Sequence, residues 1–300
     1  MNTRQLGRTG LQVTVLGYGA GQLRATPRIW NGRPVSDEQA ERILNAVLDA
    51  GINFIDTASI YGRSEEFIGR FIGHRRDEYL IATKFGCQLK DMGSWDDTPR
   101  NWSPDFLRDS IDESLRRLRT DRVDLLQLHT PTYDDFVRYD LVRPLEDARA
   151  AGKARFIGLS VTEPQMTAFA PHFDAFDTVQ LPYSAYEMHY GSWLTKAAAH
   201  GLGTIIRGGA AQGKAEQGGA DGLWERAGLD DLLDGETRTA FVLRFTLSHP
   251  DVHTAIVATI DPDHLRDNVA AAERGVLPAD VLAEAKHRLS AALAPKVPQE

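Results

Sequence analysis

Eight short apolar runs, separated by longer stretches of helical periodicity, constrain this chain more than any other feature. In order they are Val13–Leu16, Phe54–Asp56, Leu80–Thr83, Val123–Leu128, Phe156–Leu159, Thr178–Leu181, Gly203–Ile206 and Thr254–Val257. Between them, Ala40, Ile43, Leu44, Val47 and Leu48 fall at the three-and-four spacing of one helical face, and Leu107, Ile111, Leu115 and Leu118 repeat it. A last helical pattern, on Val281, Leu282, Ala285 and Leu289, follows the eighth run.

Local signals bound these segments. Ser36 with Gln39 spells a capping box, Ser103 precedes Pro104 and Asp261 precedes Pro262, while Gly51 and Gly152 supply left-handed helix stops. Strict β/α alternation requires parallel strands with right-handed crossovers, and eight such units closing on themselves form a (β/α)₈ barrel, here expected as a single domain over residues 1–300. A doubly wound sheet is the other arrangement such alternation allows. Its dinucleotide loop has no match, because Gly17-Tyr18-Gly19-Ala20-Gly21 is followed by Pro27 and Pro34 before any helical pattern starts.

Charge narrows the function classes. With 34 Lys plus Arg against 42 Asp plus Glu, the net charge of −8 offers no footprint for a polyanion, so nucleic acid is not an expected partner. The one cysteine, Cys87, fits a reducing compartment, and the absence of a long apolar segment argues against a membrane span; a cytoplasmic location is expected. The scattered histidines show no metal-ligand spacing, and no metal is expected. No GxSxG is present, and Gly208 to Lys214 matches a phosphate loop only until Ala215 replaces its Ser or Thr.

Three consecutive runs end in an ionisable residue: Asp56, Lys84 in Thr83-Lys84, and His129. In a barrel these ends converge on one mouth, with adjacent strands about 4.8 Å apart, so Asp56 and Lys84 can pair beside His129. Tyr61, five residues beyond Asp56, can fold back over them. Taken singly, each residue has an ordinary structural use, such as capping or packing. Together they suit carbonyl reduction, which needs a proton delivered to oxygen; a phenol with a reference pKa of about 10 donates poorly unless an ammonium stabilises its phenolate. In that scheme Asp56 orients Lys84 and His129 hydrogen-bonds the substrate oxygen. The hydride must come from a cofactor.

At these residues the chain resembles the aldo-keto reductase superfamily over nearly its whole length. The matching motifs are Arg4-Gln5-Leu6-Gly7-Arg8-Thr9-Gly10-Leu11, Phe54-Ile55-Asp56-Thr57-Ala58 to Tyr61-Gly62, Thr83-Lys84, Ser114-Leu115 with Leu118, and Asp124-Leu125-Leu126-Gln127-Leu128-His129. The resemblance implies an N-terminal β-hairpin closing the barrel bottom, a C-terminal extra helix, and a catalytic tetrad of Asp56, Tyr61, Lys84 and His129 with Tyr61 as proton donor. It also implies NADP(H), with NAD(H) the alternative, and a small-molecule aldehyde or ketone as substrate.

The same resemblance assigns cofactor contacts to Gly19, Ala20, Gly21, Asp56, Ser160 and Gln180, to Arg207, Gly208 and Lys214 in a loop over the pyrophosphate, and to Thr259, His264, Asp267 and Asn268 near the adenosine phosphate. Four positions depart from the family pattern, among them Ala258, where the family has a lysine or glycine. Val161 replaces an asparagine, His264 stands where an arginine is frequent, leaving Arg266 to compensate if it points inward, and the aromatic that stacks on nicotinamide aligns with Gly203. The departures at Val161 and Gly203 keep open a nucleotide-holding regulatory or redox-sensing subunit similar to potassium-channel β subunits. Substrate choice is expected from residues 23–34, 85–102 and 213–236, with Trp30, Trp95, Trp102 and Trp224 as candidate walls.

Overall fold

A computed structural model of the chain describes residues 1–24, 35–88, 99–162, 165–211, 214–219 and 222–293. Its strands are β1 (Thr3–Gln5), β2 (Gln12–Thr14), β3 (Leu16–Gly19), β4 (Phe54–Asp56), β5 (Leu80–Phe85), β6 (Val123–His129), β7 (Ala154–Ser160), β8 (Thr178–Pro182), β9 (Gly203–Arg207) and β10 (Thr254–Val257). The antiparallel pair β1–β2 stands apart, and β3 to β10 close a parallel barrel in chain order, β10 pairing back onto β3. The sequence-based barrel, hairpin and extra helix, Ala279–Leu293, are therefore all present.

The first apolar run is divided differently from its appearance in sequence. Val13 pairs with Arg4 in the hairpin, and the barrel strand starts only at Leu16. Asn53 makes the break: its side-chain oxygen accepts from Thr14 N at 2.8 Å, while the Thr14 hydroxyl donates to Leu16 O. Apolar residues continue through the bend, so nothing in the hydrophobic pattern marks it.

Helices dress the outside. Helix Asp37–Asp49 starts on the complete Ser36–Gln39 capping box and buries the five residues its periodicity singled out, each contributing about 1.5–3 kcal/mol if a large aliphatic side chain leaves water. Helix Pro104–Leu118 buries Leu107, Ile111, Ser114 and Leu118, with Leu115 only partly covered. Ser103 precedes this helix without a side-chain cap, whereas Asp261 does cap helix Pro262–Arg274. Among the described residues no helix is long and apolar enough to cross a membrane.

Inside the barrel, alternate residues of each strand point to the axis and sort into tiers. The lower tier is apolar: Phe54, Ala82, Leu125, Ile205 and Ile256 pack with Leu6, Leu11 and Val13 of the hairpin region, which plugs that end. Two residues further along the same strands, in the same inward phase, come Asp56, Lys84, Gln127 and Arg207. Among the described residues the ionisable groups of these tiers thus sit at the carboxyl-terminal end of the interior.

Candidate active site

Asp56 ends β4 and is buried. Its Oδ2 accepts from the Lys84 ammonium, whose Nζ also donates to the Thr57 carbonyl at 2.9 Å. Its Oδ1 accepts from Gln127 Nε2 at 3.1 Å and Gln180 Nε2 at 2.9 Å. A carboxylate and an ammonium buried together persist only when paired and hydrogen-bonded, and this set meets that condition.

Tyr61 reaches the pair through a tight loop. Ser59 N donates to Lys84 O at 3.1 Å, and Tyr61 N to Ala58 O at 2.9 Å, which folds the chain back over the mouth. The Lys84 Nζ lies 5.3 Å from the Tyr61 ring centroid, and the imidazole of His129 meets that ring edge-on at 5.9 Å and 84°. Arg24 stands 5.9 Å from the same ring. Burial, with the nearby charges of Lys84, Arg100 and Arg207, holds the His129 pKa well below its usual value, so the imidazole is neutral near pH 7. Beneath it, the Cys87 thiol, pushed by burial up to about 11, donates to the His129 carbonyl.

On the far wall the Ser160 hydroxyl donates to Gln180 Oε1 at 3.1 Å, both side chains buried. Ser160 keeps free lone pairs and Gln180 a second amide hydrogen, an acceptor beside a donor, which is the complement of a carboxamide. Gln127 Oε1 is buried with no hydrogen-bond partner among the described residues. The donor set therefore fits the nicotinamide end of a dinucleotide.

Of the remaining sequence-derived residues, Gly19 lies beside Val257 and Ala258, Gly21 lies beside the Tyr61 ring, and the Ala20 carbonyl accepts from Ser64 Oγ at 3.1 Å. Arg207 ends β9 with its charge close enough to influence His129, and Gly208 follows in left-handed backbone, φ 73°. Lys214, His264 and Asp267 are exposed and Asn268 is partly buried. Thr259 shapes a turn, its Oγ1 accepting from Asp261 N at 3.0 Å and its carbonyl from the Tyr18 hydroxyl at 2.8 Å. Gly213, Trp30 and Trp95 lie outside the described residues.

Three expectations need correction. Gly203 is not at the mouth: it opens β9 at the plugged end, where a Cβ would sit 2.6 Å from Leu6 Cγ, and the residue its strand presents at the mouth is Arg207. Arg266 points outward, 72% exposed and paired with Asp263 at 2.9 Å. Trp224 and Trp102 are packing residues rather than pocket walls. The Trp224 indole donates to Asp230 at 2.7 Å under the Arg238 guanidinium, and Trp102 lies buried against Gly86, whose φ of 101° and missing Cβ make the room.

Gln127, Arg24 and Arg100 went unassigned in the sequence. For Gln127 a signal existed: it stands two residues before His129 in a core strand, hence in the same inward phase. Arg24 and Arg100 sit in loops, where no periodicity sets direction.

A profile of the aldo/keto reductase family matches residues 15–222. The chain is 26% identical over 296 residues, 91% of each chain, to the uncharacterized oxidoreductase YqkF of Bacillus subtilis. It is 36% identical to the 6-dehydroglucose reductase of Novosphingobium aromaticivorans over 183 residues, 57% of this chain and 55% of that one. A solved aldo-keto reductase from Bacillus halodurans, in its holo form, superposes with a TM-score of 0.83 at 25% identity, covering 96% of each chain.

Proposed function

Because the chain belongs to the aldo/keto reductase family and is an oxidoreductase of that fold, we propose that it reduces an aldehyde or ketone to an alcohol, reversibly, with NADP(H) and with Tyr61 as the proton donor. One observation carries this assignment: a buried Lys84–Asp56 pair lies against the Tyr61 ring, with a neutral His129 at the ring edge.

The Tyr61 hydroxyl gives its proton to the carbonyl oxygen, and the Lys84 ammonium stabilises the phenolate left behind. Asp56, held from three sides, keeps Lys84 charged and aimed. Neutral His129 has a ring N–H to donate to the same oxygen without adding a competing charge. Ser160 and Gln180 would hold the carboxamide of the nicotinamide, which when bound supplies the hydride to the carbonyl carbon. On the phosphate side Lys214 and His264 are exposed and Arg266 faces away; NADP(H) rather than NAD(H) follows from the family resemblance.

Relatives point the substrate search toward sugars. Besides the 6-dehydroglucose reductase, a D-threo-aldose 1-dehydrogenase of a Pseudomonas species is 36% identical over 173 residues, half of each chain. Nicotinamide absorbance followed with NADPH and with NADH over a panel of aldehydes, ketones and aldoses tests activity and cofactor together. Tyr61→Phe is expected to abolish turnover while nucleotide still quenches protein fluorescence; undiminished turnover would refute the assignment. The alternative of a nucleotide-holding subunit loses its support from Gly203, which lies at the plugged end of the barrel.

A further inference from the structure

Behind the catalytic pair, in the layer between barrel and helices, lies a carboxyl group that the proposed reaction leaves unused. Glu65 belongs to helix Ser64–Phe71 and is 1% exposed. Its Oε1 accepts from Thr83 Oγ1 at 2.6 Å, and its Oε2 faces the Arg117 guanidinium of helix Pro104–Leu118 at 3.5 Å. Burial pushes its carboxyl pKa up, against the opposing pull of Thr83, Ser114 and Arg117. Gly69, one turn on along the same helical face, lets the two helices touch, since a Cβ there would sit 2.3 Å from Arg117 O.

Both partners of Glu65 lead directly to the site. Thr83 precedes Lys84 in β5, so while Lys84 faces the barrel axis Thr83 faces out toward the helices. Tyr61 stands four residues before Glu65, and Ser64 N donates to Tyr61 O at 2.9 Å. Arg117 also donates to Ser59 O at 3.4 Å, while Ser59 N donates to Lys84 O at 3.1 Å. The segment carrying Tyr61 is thus held to β5 from the front by a backbone bond and from behind through Glu65. A buried carboxyl costs stability unless its partners offset it, and an apolar side chain of similar size would fill the same space. Packing alone therefore gives no reason for a glutamate here.

We propose that Glu65 is a positioning residue, its carboxyl clamping the Tyr61 segment to the back of β5 through Thr83 and Arg117 so that the phenol stays beside Lys84. The clamp deepens the reductase assignment above and rests on it. Glu65 touches neither substrate nor cofactor in this scheme. It acts only through the placement of Tyr61 over Lys84, whose Nζ lies 5.3 Å from the ring centroid; a displacement of about 1 Å at a reacting group can cost about 100-fold in rate.

Glu65→Leu removes both ties at similar volume. In single-turnover reduction of 4-nitrobenzaldehyde by the NADPH-saturated protein, its rate constant should fall about tenfold or more, while the amplitude holds. Merely lost structure would lower the amplitude and leave the rate constant alone. Glu65→Gln, which keeps an acceptor for Thr83, should recover most of the rate. Thr83→Val should slow the step as Glu65→Leu does, and the double variant should be no slower than the slower single one, because the two residues act as a unit. Hydrogen exchange reads the clamp without turnover. The amides of Ser59 and Tyr61, bonded to Lys84 O and Ala58 O, should exchange about tenfold faster in Glu65→Leu, while that of Leu126 in β6 keeps its rate. Where Glu65→Leu does not fold, Thr83→Val carries both measurements. An unmoved rate constant in an active enzyme, additive losses in the double variant, or unmoved exchange at both amides overturns the proposal. Faster exchange in a protein that reduces no carbonyl of the panel supports the clamp and removes only the reductase assignment.

Discussion

Gln180 Nε2 donates to Asp56 Oδ1 at 2.9 Å although Gln180 stands on β8 and Asp56 on β4, with β5, β6 and β7 between them along the ring. In a closed barrel of eight strands those positions face each other across the axis, so the bond spans the mouth. It ties the carboxylate that holds Lys84 to the wall that carries Ser160.

Removing that tie tests its weight. In Gln180→Leu, Asp56 retains Lys84 and Gln127 but loses one donor, and a hydrogen bond to a charged group contributes about 1.5–3 kcal/mol. Urea unfolding should show a loss of that size with turnover reduced. Unchanged stability and kcat would mean that the span across the mouth is incidental.

Lys84→Met should cost more. It leaves the Asp56 carboxylate buried without its cation, a change that typically destabilises by about 3–5 kcal/mol. Adding Asp56→Asn should recover most of the midpoint but none of the turnover, because the phenolate still lacks its ammonium. Thermal scans and single-turnover assays separate the two effects; recovery of both together would remove Lys84 from the chemistry.

Stability should depend on acid in a particular window. His129, His249 and His253 are all held below their usual value, each chiefly by burial. Between those lowered values and about 6.5, where an unfolded histidine titrates, the unfolded chain binds protons that the folded one does not. Stability therefore rises with pH across that window and is lost as pH falls through about 6.5. Each such histidine adds at most about 1.4 kcal/mol per pH unit to the slope. His129→Gln should flatten the slope between pH 5 and pH 6.5 by up to that amount, whatever its effect on the stability at pH 8; identical slopes in the two proteins would contradict a neutral buried imidazole.

Gly203→Ala should act on the plug rather than on nucleotide binding. The added methyl would meet Leu6 Cγ at 2.6 Å and the Leu6 backbone at 3.1 Å, and overpacking of this kind costs about 1–3 kcal/mol. The melting temperature is expected to fall while NADPH affinity holds. Affinity falling with no change in melting would put Gly203 back at the mouth.

Much of the architecture could be read before any coordinates because periodicity is local. The spacing of Ala40, Ile43, Leu44, Val47 and Leu48 named a buried helical face residue by residue, and the ionisable residues Asp56, Lys84 and His129 fell in the inward phase of core strands. Gly203, Ile205 and Arg207 share one phase, and strand direction puts Gly203 at the plug and Arg207 at the mouth; the apolar run ends at Ile206, so Arg207 does not show as part of the strand. What else escaped is set by contacts distant in sequence. The division of Val13–Leu16 depends on Asn53, far along the chain, and the link from Gln180 to Asp56 exists only once the ring has closed.

The tiered interior has an evolutionary corollary. Since the oily plug and the chemically active rim draw on different rungs of the same strands, drift at the rim can retune what is bound while the rungs below go on securing the chain's shape. New specificities would then arise at the rim, with a cost in heat tolerance only where a rung carries the hydrogen bonds and ion pair of Asp56.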